Sequence, residues 1–386
     1  MPEPRERRLA TIDVKPGGPM ESQSGLQLLR PRIYGAYELP SSTMKVKTGA
    51  IVMHPTSNFM GHYLIAPLAE RGIACMGLNS RYAGNDTLLL MERAIQDLGA
   101  GVKFMRESLG CKRLVLVGNS GGAALATFYQ AEAEHFSIET LVDGEPTGIV
   151  RSDLPRIDGL ALCAAHEGRA HLLLRWIDPS LTDEHDGLSV DTALDMYNPV
   201  HWHEDGDNTI TYSTEFLRRF TGAQQARRNR IEARVLERLV ELRSIPGAPY
   251  DEVFVIHRTL ADPRCLDLSL DANDRARGSV WGDARQVNYA ANAMGRVTSL
   301  TAFLSQWSSR SRAGGPENLA KTSVPTLLLT YTADQSTFPS TRAAWLAAGG
   351  RRIRNVDIVG GDHYLIGRAD LQMRVADEIA AFAQAL

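Results

Sequence analysis

The residues with the clearest capacity for chemistry surround Ser120, the centre of a Gly-x-Ser-x-Gly motif at residues 118–122. An apolar run of strand length, residues 114–117, precedes the motif, and a small-residue segment compatible with a helix follows it. A sharp strand-to-helix turn forces its central serine into a strained backbone conformation and lifts the hydroxyl clear of the sheet. Gly118 and Gly122 fit such a turn because a side chain at either position would collide with neighbouring backbone. The pattern therefore predicts Ser120 as a nucleophile.

His363 is the predicted base for this serine. A serine hydroxyl is a poor nucleophile at neutral pH and needs a base within hydrogen-bond reach. His363 lies in the segment Gly-Gly-Asp-His-Tyr, residues 360–364, directly after the last predicted strand. The two glycines allow the loop to carry the imidazole back over Ser120.

Strands that alternate with helices are expected to position these residues. Strands are predicted at residues 8–14, 25–38, 50–53, 73–78, 114–117, 160–165, 324–330 and 356–359. Helical patterns lie between them, at residues 62–70 and 91–109 and after Ser120, and a terminal helix spans 371–382. This alternation indicates an α/β fold, a mostly parallel central sheet with helices on both faces. Active residues of such sheets lie at the carboxyl ends of strands. Four candidates follow strand ends: His54, Ser120, Asp334 and His363.

The chain resembles the α/β-hydrolase superfamily in its strand-turn-helix motif around Ser120 and in the order serine, acid, histidine. The resemblance covers residues 25–165 and 324–386. It implies the α/β-hydrolase fold and an esterase-like serine hydrolase with a Ser-His-acid triad. Asp334 follows the seventh strand, where the superfamily usually keeps its acid. Glu167, after the sixth strand, is an alternative, whereas Asp362 adjoins His363 and its side chain normally cannot reach the far ring nitrogen.

The resemblance also implies two backbone N–H donors for the oxyanion of a tetrahedral intermediate. One is Gly121, the residue after the nucleophile. The other is expected from the loop after the third strand, residues 54–58, where Pro55 has no N–H to donate. Thr56 is therefore the predicted donor and Ser57 the reserve.

Further side chains are predicted as substrate contacts because they adjoin these positions. They are His54, Asn119, Arg81, Tyr82 and Tyr364. Arg81 and Tyr82 follow the fourth strand and are expected near the mouth of a pocket. Arg81 could bind a substrate carboxylate, and an ion pair with the cap is an equal alternative.

The interval between the sixth and seventh strands is too long for one crossover, so it is expected to form a unit of its own. Helical patterns run through residues 216–242 and 288–307. By resemblance this is a large, mainly helical cap. The predicted domains are a first part of the core at 1–166, the cap segment at 167–318, and a second part of the core at 319–386.

Composition limits the classes of partner. The 386 residues are 44% hydrophobic and 23% charged with a net charge of −3, which gives no general attraction to nucleic acid or to an anionic membrane. Neither a secretory signal nor a membrane span is predicted, and the four scattered cysteines suit a cytoplasmic protein. No metal and no cofactor are expected. The His-Trp-His-Glu-Asp run at 201–205 is interpreted as a solvated turn. A homo-oligomer is left open.

The predicted function is cleavage of a hydrophobic carboxylic ester through an acyl-enzyme. A carbon–carbon hydrolase of a ring-cleavage or diketone product is an alternative, in which Arg81 would bind the acidic end. Thioester or lactone cleavage is a further alternative. A non-enzymatic ligand-binding protein that kept the fold is the hypothesis from a different class.

Overall fold

The computed structural model of the protein describes residues 6–16, 31–41, 47–205, 209–247 and 251–386. The first part of the strand predicted at 25–38 lies outside the described residues.

The described residues contain one eight-stranded sheet with the spatial order β1-β2-β4-β3-β5-β6-β7-β8. Its strands are β1 (Arg8–Asp13), β2 (Arg32–Glu38), β3 (Thr48–His54), β4 (Ala74–Asn79), β5 (Arg113–Asn119), β6 (Gly159–Cys163), β7 (Thr326–Tyr331) and β8 (Ile353–Ile358). Strand β2 pairs antiparallel with both β1 and β4, and the remaining pairs are parallel. This order and these directions are those of the α/β-hydrolase fold, so the predicted fold class is confirmed.

The central strands read as continuous apolar runs because both faces of the sheet are covered. Along β3, Ile51 and Met53 point into one apolar cluster, while Ala50 and Val52 point into the other. This alternation with period two is the geometry of a strand between two layers. Helices therefore pack on both sides, as predicted.

The helices that cover the sheet are α1 (Ile65–Glu70), α2 (Met91–Glu107), α3 (Gly122–Glu134), α9 (Pro339–Gly349) and α10 (Ala369–Ala385), and those between β6 and β7 are α4 (Arg169–Trp176), α5 (Thr214–Ser244), α6 (Ala284–Tyr289), α7 (Leu300–Gln306) and α8 (Gly315–Leu319). Helices α1 and α10 lie against one face of the sheet, and α2, α3 and α9 against the other. Within the described ranges, no helix has the length and apolar character that crossing a membrane requires.

The described part of the cap segment adds no strand to the eight-stranded sheet. Its long helix α5 matches the predicted pattern at 216–242, and Ser213 caps it by accepting a hydrogen bond from the amide of Phe216. Two short antiparallel ribbons lie beside the helices and pair Trp202–Glu204 with Ile210–Tyr212 and Val253–Val255 with Val297–Ser299.

The helical pattern predicted at 288–307 is wrong as a single helix. The chain leaves α6 after Tyr289, turns at Gly295 with a φ of +74°, and forms a strand at Val297–Ser299 before α7 begins. Gly295 and the β-branched residues Val297 and Thr298 disfavour a continuous helix, and the strand at Val253–Val255 offers a pairing partner.

Candidate active site

The backbone around Ser120 has the strained turn that the motif predicts. Ser120 has a φ of +57° and its amide donates to the carbonyl oxygen of Cys163 at 2.9 Å, which fixes the turn to β6. A Cβ atom at Gly122 would lie 2.1 Å from the carbonyl oxygen of Met53, and one at Gly118 would lie 2.6 Å from the Cα of Ala123. Both positions therefore require glycine.

The side chains of Ser120, His363 and Asp334 form a continuous hydrogen-bonded chain. His363 Nε2 lies 2.9 Å from Ser120 Oγ, and His363 Nδ1 lies 2.8 Å from Asp334 Oδ2. With Nδ1–H donating to the carboxylate, Nε2 is left as the acceptor for the serine hydroxyl. Three residues that are far apart in the sequence are thus brought together at the carboxyl ends of β5, β7 and β8.

The two other carboxylates that the sequence offered have different partners. Glu167 forms an ion pair with Arg175 and accepts a hydrogen bond from Thr341. Asp362 accepts a hydrogen bond from the amide of Leu365 in its own loop. Of these three carboxylates, that of Asp334 is the one hydrogen bonded to His363.

Asp334 is fully buried and is held by its own loop. Its carboxylate accepts hydrogen bonds from the amides of Ser336 and Thr337 and from the hydroxyl of Thr337. Burial alone would raise the pKa of Asp334, but the nearby His363 and these hydrogen bonds outweigh it and hold the pKa below its usual range. The carboxylate is therefore ionised at neutral pH.

The predicted oxyanion loop is arranged differently from the expectation. The amides of Thr56 and Ser57 both donate to Nδ1 of His54, at 3.1 and 2.9 Å. Both predicted donors in this loop are thus directed at the histidine of the loop itself, and this geometry does not support Thr56 or Ser57 as the oxyanion donor. Gly121 directly precedes α3, so its amide lies at a helix N-terminus, and its role as an oxyanion donor stays a prediction.

The ring of His54 lies directly beside Gly121. A Cβ atom at Gly121 would lie 2.8 Å from His54 Nε2. Burial, followed by the nearby Arg169, His166 and His363, lowers the pKa of His54 well below its usual value. His54, predicted as a substrate contact, is therefore a neutral imidazole in the site.

His166 is a functional candidate that the sequence reasoning missed. Its ring lies 5.2 Å from that of His363, its Nε2 is hydrogen bonded to Ser336 Oγ at 2.9 Å, and its amide donates to the carbonyl oxygen of Ser120. Burial and the neighbouring His363 lower its pKa to about 3. Its position just after β6 was the available signal, because the residue follows a strand end as the other candidates do.

Aromatic side chains continue outward from the two histidines. Trp176 packs edge-on against His166 at 6.1 Å and against Trp281 at 6.0 Å, and Tyr364 packs edge-on against His363 at 4.9 Å. Trp281 and Tyr364 are both partly exposed. The cap segment therefore contributes an aromatic surface next to the Ser120 region.

Arg81 and Tyr82 are both buried, which does not support their predicted place near the mouth of a pocket. The guanidinium of Arg81 is buried and pairs with both carboxylate oxygens of Asp97 on α2. Tyr82 is 3% exposed and belongs to the apolar cluster that includes α2 and α3. Of the two alternatives predicted for Arg81, the structure has an ion pair, and its partner lies on the following helix. Asn119 is partly exposed beside Ser120, and its substrate contact stays a prediction.

Arg169, at the start of α4, is a second residue that the sequence reasoning missed. Its guanidinium donates to Thr56 Oγ1 at 2.8 Å, to Asp86 at 2.9 Å and to Gln306 at 2.5 Å. It also lies over the ring of Trp307. One buried cation thus ties the loop after β3 to two parts of the cap segment.

Over the residues that the structure describes, no group of three His, Cys, Asp or Glu side chains is arranged to hold a metal ion.

No protein-family model matches the chain, and no curated protein matches it. Solved structures do match over almost the whole length. The structure of DcsB in complex with its substrate analogue is 12% identical with a TM-score of 0.51, over 98% of this chain and 99% of that one. Brefeldin A esterase, a bacterial homologue of human hormone sensitive lipase, is 13% identical with a TM-score of 0.49, over 99% and 78%. A carboxyl esterase from Bacillus coagulans is 14% identical with a TM-score of 0.48, over 98% of each chain. At these identities the likeness concerns the fold.

Proposed function

We propose that this protein is a serine hydrolase that cleaves carboxylic esters with a hydrophobic acyl or alkyl group through an acyl-enzyme. The observation that carries the proposal is the hydrogen-bonded chain from Ser120 Oγ through His363 to the ionised, buried Asp334. A neutral imidazole can remove the serine proton only if its other nitrogen is held in the protonated tautomer, and Asp334 supplies that restraint.

In the proposed reaction Ser120 Oγ attacks the ester carbonyl carbon while its proton passes to His363 Nε2. The Asp334 carboxylate stabilises the imidazolium that results. His363 then gives the proton to the leaving alcohol, and an acyl group remains on Ser120. A water molecule, deprotonated by the same imidazole, releases the acid in the second half of the cycle.

The preference for a hydrophobic ester is supported by the aromatic side chains next to the histidines. Trp176, Trp281 and Tyr364 offer large aromatic surfaces for such a group. The carbon–carbon hydrolase alternative required Arg81 to bind the acidic end of the substrate. Because Arg81 is engaged with Asp97, no observation favours that alternative.

A cytoplasmic location is part of the proposal. All four cysteines are free and buried, which suits a reducing compartment: Cys75, Cys111, Cys163 and Cys265.

The test combines covalent labelling with turnover. Wild type is expected to react with a fluorophosphonate at Ser120, identified by peptide mapping, and to hydrolyse p-nitrophenyl esters. Ser120→Ala is expected to lose labelling and to slow hydrolysis by about 10⁴-fold or more. Ser244→Ala, at the exposed end of α5, is the matched control and should behave as wild type. A wild-type protein that binds esters but neither turns them over nor labels would contradict the proposal and favour the ligand-binding alternative.

A further inference from the structure

We propose that the His54 side chain is a catalytic residue, which donates a hydrogen bond from Nε2–H to the oxyanion that forms when Ser120 attacks. This inference rests on the proposed function and extends it. The oxyanion would then be bound by one backbone amide, that of Gly121, and by one imidazole.

The tautomer of His54 follows from the partners of Nδ1. That nitrogen accepts two backbone hydrogen bonds, from Thr56 at 3.1 Å and from Ser57 at 2.9 Å. A nitrogen that accepts from two N–H groups carries no proton of its own. Since a neutral imidazole has one proton, the proton of His54 is on Nε2.

The neutral state of the ring follows from its surroundings. Its burial and the positive guanidinium of Arg169 both disfavour an imidazolium, and His166 and His363 act in the same direction. A neutral donor suits this role because it can donate to a developing negative charge without placing a second positive charge near the imidazolium that forms on His363.

The Nε2 atom of His54 also lies beside Gly121, the other donor of the proposal. His54 Nε2 is 2.8 Å from where a Cβ atom of Gly121 would be, next to the residue whose amide is the other donor. Among the described residues, none accepts a hydrogen bond from Nε2. Gly121 is therefore needed because any side chain there would displace the imidazole.

The loop that carries His54 is rigid enough to hold it in position. The carbonyl oxygen of Pro55 accepts a hydrogen bond from Ser80 Oγ at 2.5 Å, and Arg169 binds the Thr56 hydroxyl at 2.8 Å. Pro55 has no amide proton, and the next two amides are bound to Nδ1. The loop thus offers a side-chain donor at the place where the sequence suggested a backbone donor.

Two substitutions of His54 distinguish its role as a donor through Nε2 from its role as an acceptor of the loop amides through Nδ1. His54→Asn places an amide oxygen near the position of Nδ1, so it can still accept from the loop amides, but it has no donor at the position of Nε2. His54→Gln places its amide group near Nε2 and can still donate. We expect His54→Asn to lower the rate constant of Ser120 phosphonylation, and kcat for an ester, by about 100-fold or more, with KM changed less than about threefold. His54→Gln should keep the phosphonylation rate within about tenfold of wild type.

The matched control is His62→Asn, because His62 Nδ1 also accepts a loop amide, that of Leu64, and its ring packs on Phe59 and Tyr63. Its phosphonylation rate should equal that of wild type. Thermal unfolding shows whether each variant is folded. If His54→Asn does not fold, the phosphonylation rate of His54→Gln decides between the two outcomes. A wild-type rate in His54→Asn, or equal losses in the Asn and Gln variants, would overturn the role of His54 and leave the serine hydrolase intact. No labelling of wild type at all would overturn both.

Discussion

The two ring nitrogens of His363 face different partners, Ser120 on one side and Asp334 on the other. Replacing the acid by its amide should therefore change the tautomer without changing the shape of the site. We expect Asp334→Asn to lower kcat for ester hydrolysis by about 10³- to 10⁴-fold, because an amide can donate to Nδ1 and so favour the wrong tautomer. Steady-state kinetics at neutral pH measures this.

The corresponding control is Glu167→Gln. Glu167 pairs with Arg175 and not with His363, so its kcat should stay within about tenfold of wild type. A larger loss in Glu167→Gln than in Asp334→Asn would show that the acid has been assigned to the wrong carboxylate.

At this scale the sequence predicts the positions that chemistry and chain order constrain together. Ser120, Asp334 and His363 each follow a strand, and a hydroxyl, a carboxylate and an imidazole are what acyl transfer requires. The partners of Thr56 and Arg81 could not be predicted in the same way. The amide of Thr56 donates to His54 and the guanidinium of Arg81 pairs with Asp97, and only the folded loop or the next helix brings these partners close.

At the scale of elements, the turn from β5 to α3 depends on close backbone contact at Gly122. We expect Gly122→Ala to lower the free energy of unfolding by about 3 kcal/mol and to abolish most ester hydrolysis, because its Cβ would meet the carbonyl oxygen of Met53 at 2.1 Å. Chemical denaturation and activity assays measure the two effects. Gly61→Ala is the control, since a Cβ there meets nothing within 4 Å, and unchanged stability in both variants would refute the steric explanation.

A glycine inside helix α5 gives the opposite expectation. Gly222 is exposed, and a Cβ atom there would have no contact within 4 Å. Gly222→Ala should raise the free energy of unfolding by about 0.5–1 kcal/mol, because glycine loses more backbone entropy than alanine in a helix. Urea denaturation checks this, and a destabilised variant would contradict it.

The long helix α5 was predictable because its buried positions recur at helical spacing over many turns, including Phe216, Phe220, Ile231 and Val235. The single helix predicted at 288–307 was wrong because short apolar segments fit both a helix and a strand. There the choice depended on a pairing partner at Val253–Val255, which is distant in the sequence.

At the scale of the whole molecule, buried neutral histidines make stability depend on pH. The pKa of His166 is about 3 in the folded protein, against 6.5 for an ordinary histidine. Between these two values His166 is protonated in the unfolded chain and neutral in the folded protein. The stabilising contribution is complete above pH 6.5 and is lost as the pH falls toward 3. His166 alone should lower the free energy of unfolding by about 2 kcal/mol between pH 7 and pH 5.

The measurement is the free energy of unfolding at pH 7 and pH 5 for wild type and His166→Asn. From pH 7 to pH 5, the free energy of unfolding should fall by about 2 kcal/mol less in the variant than in wild type. Asp334 does not interfere, because its lowered pKa affects stability only below about pH 4, where the unfolded carboxyl becomes protonated. Parallel pH profiles for the two proteins would contradict the assignment of a neutral, buried His166.

The overall architecture was the most predictable level, because alternating apolar strands and amphipathic helices leave few ways to cover a sheet. The eight-stranded sheet and its two helical layers agree with that expectation. The contacts between the cap segment and the loops that follow β3 and β6 were not predictable, since Arg169 and Trp176 carry no local pattern that identifies their partners.

The pairing of β6 with β7 spans the entire cap segment, and this has a consequence for biosynthesis. During translation, the strand that leads to Ser120 leaves the ribosome long before the residues that carry Asp334 and His363. The growing chain must therefore keep the unfilled edge of β6 from pairing with other nascent chains until β7 arrives. Folding of this protein should accordingly be slow, because this pairing closes a loop as long as the whole cap segment.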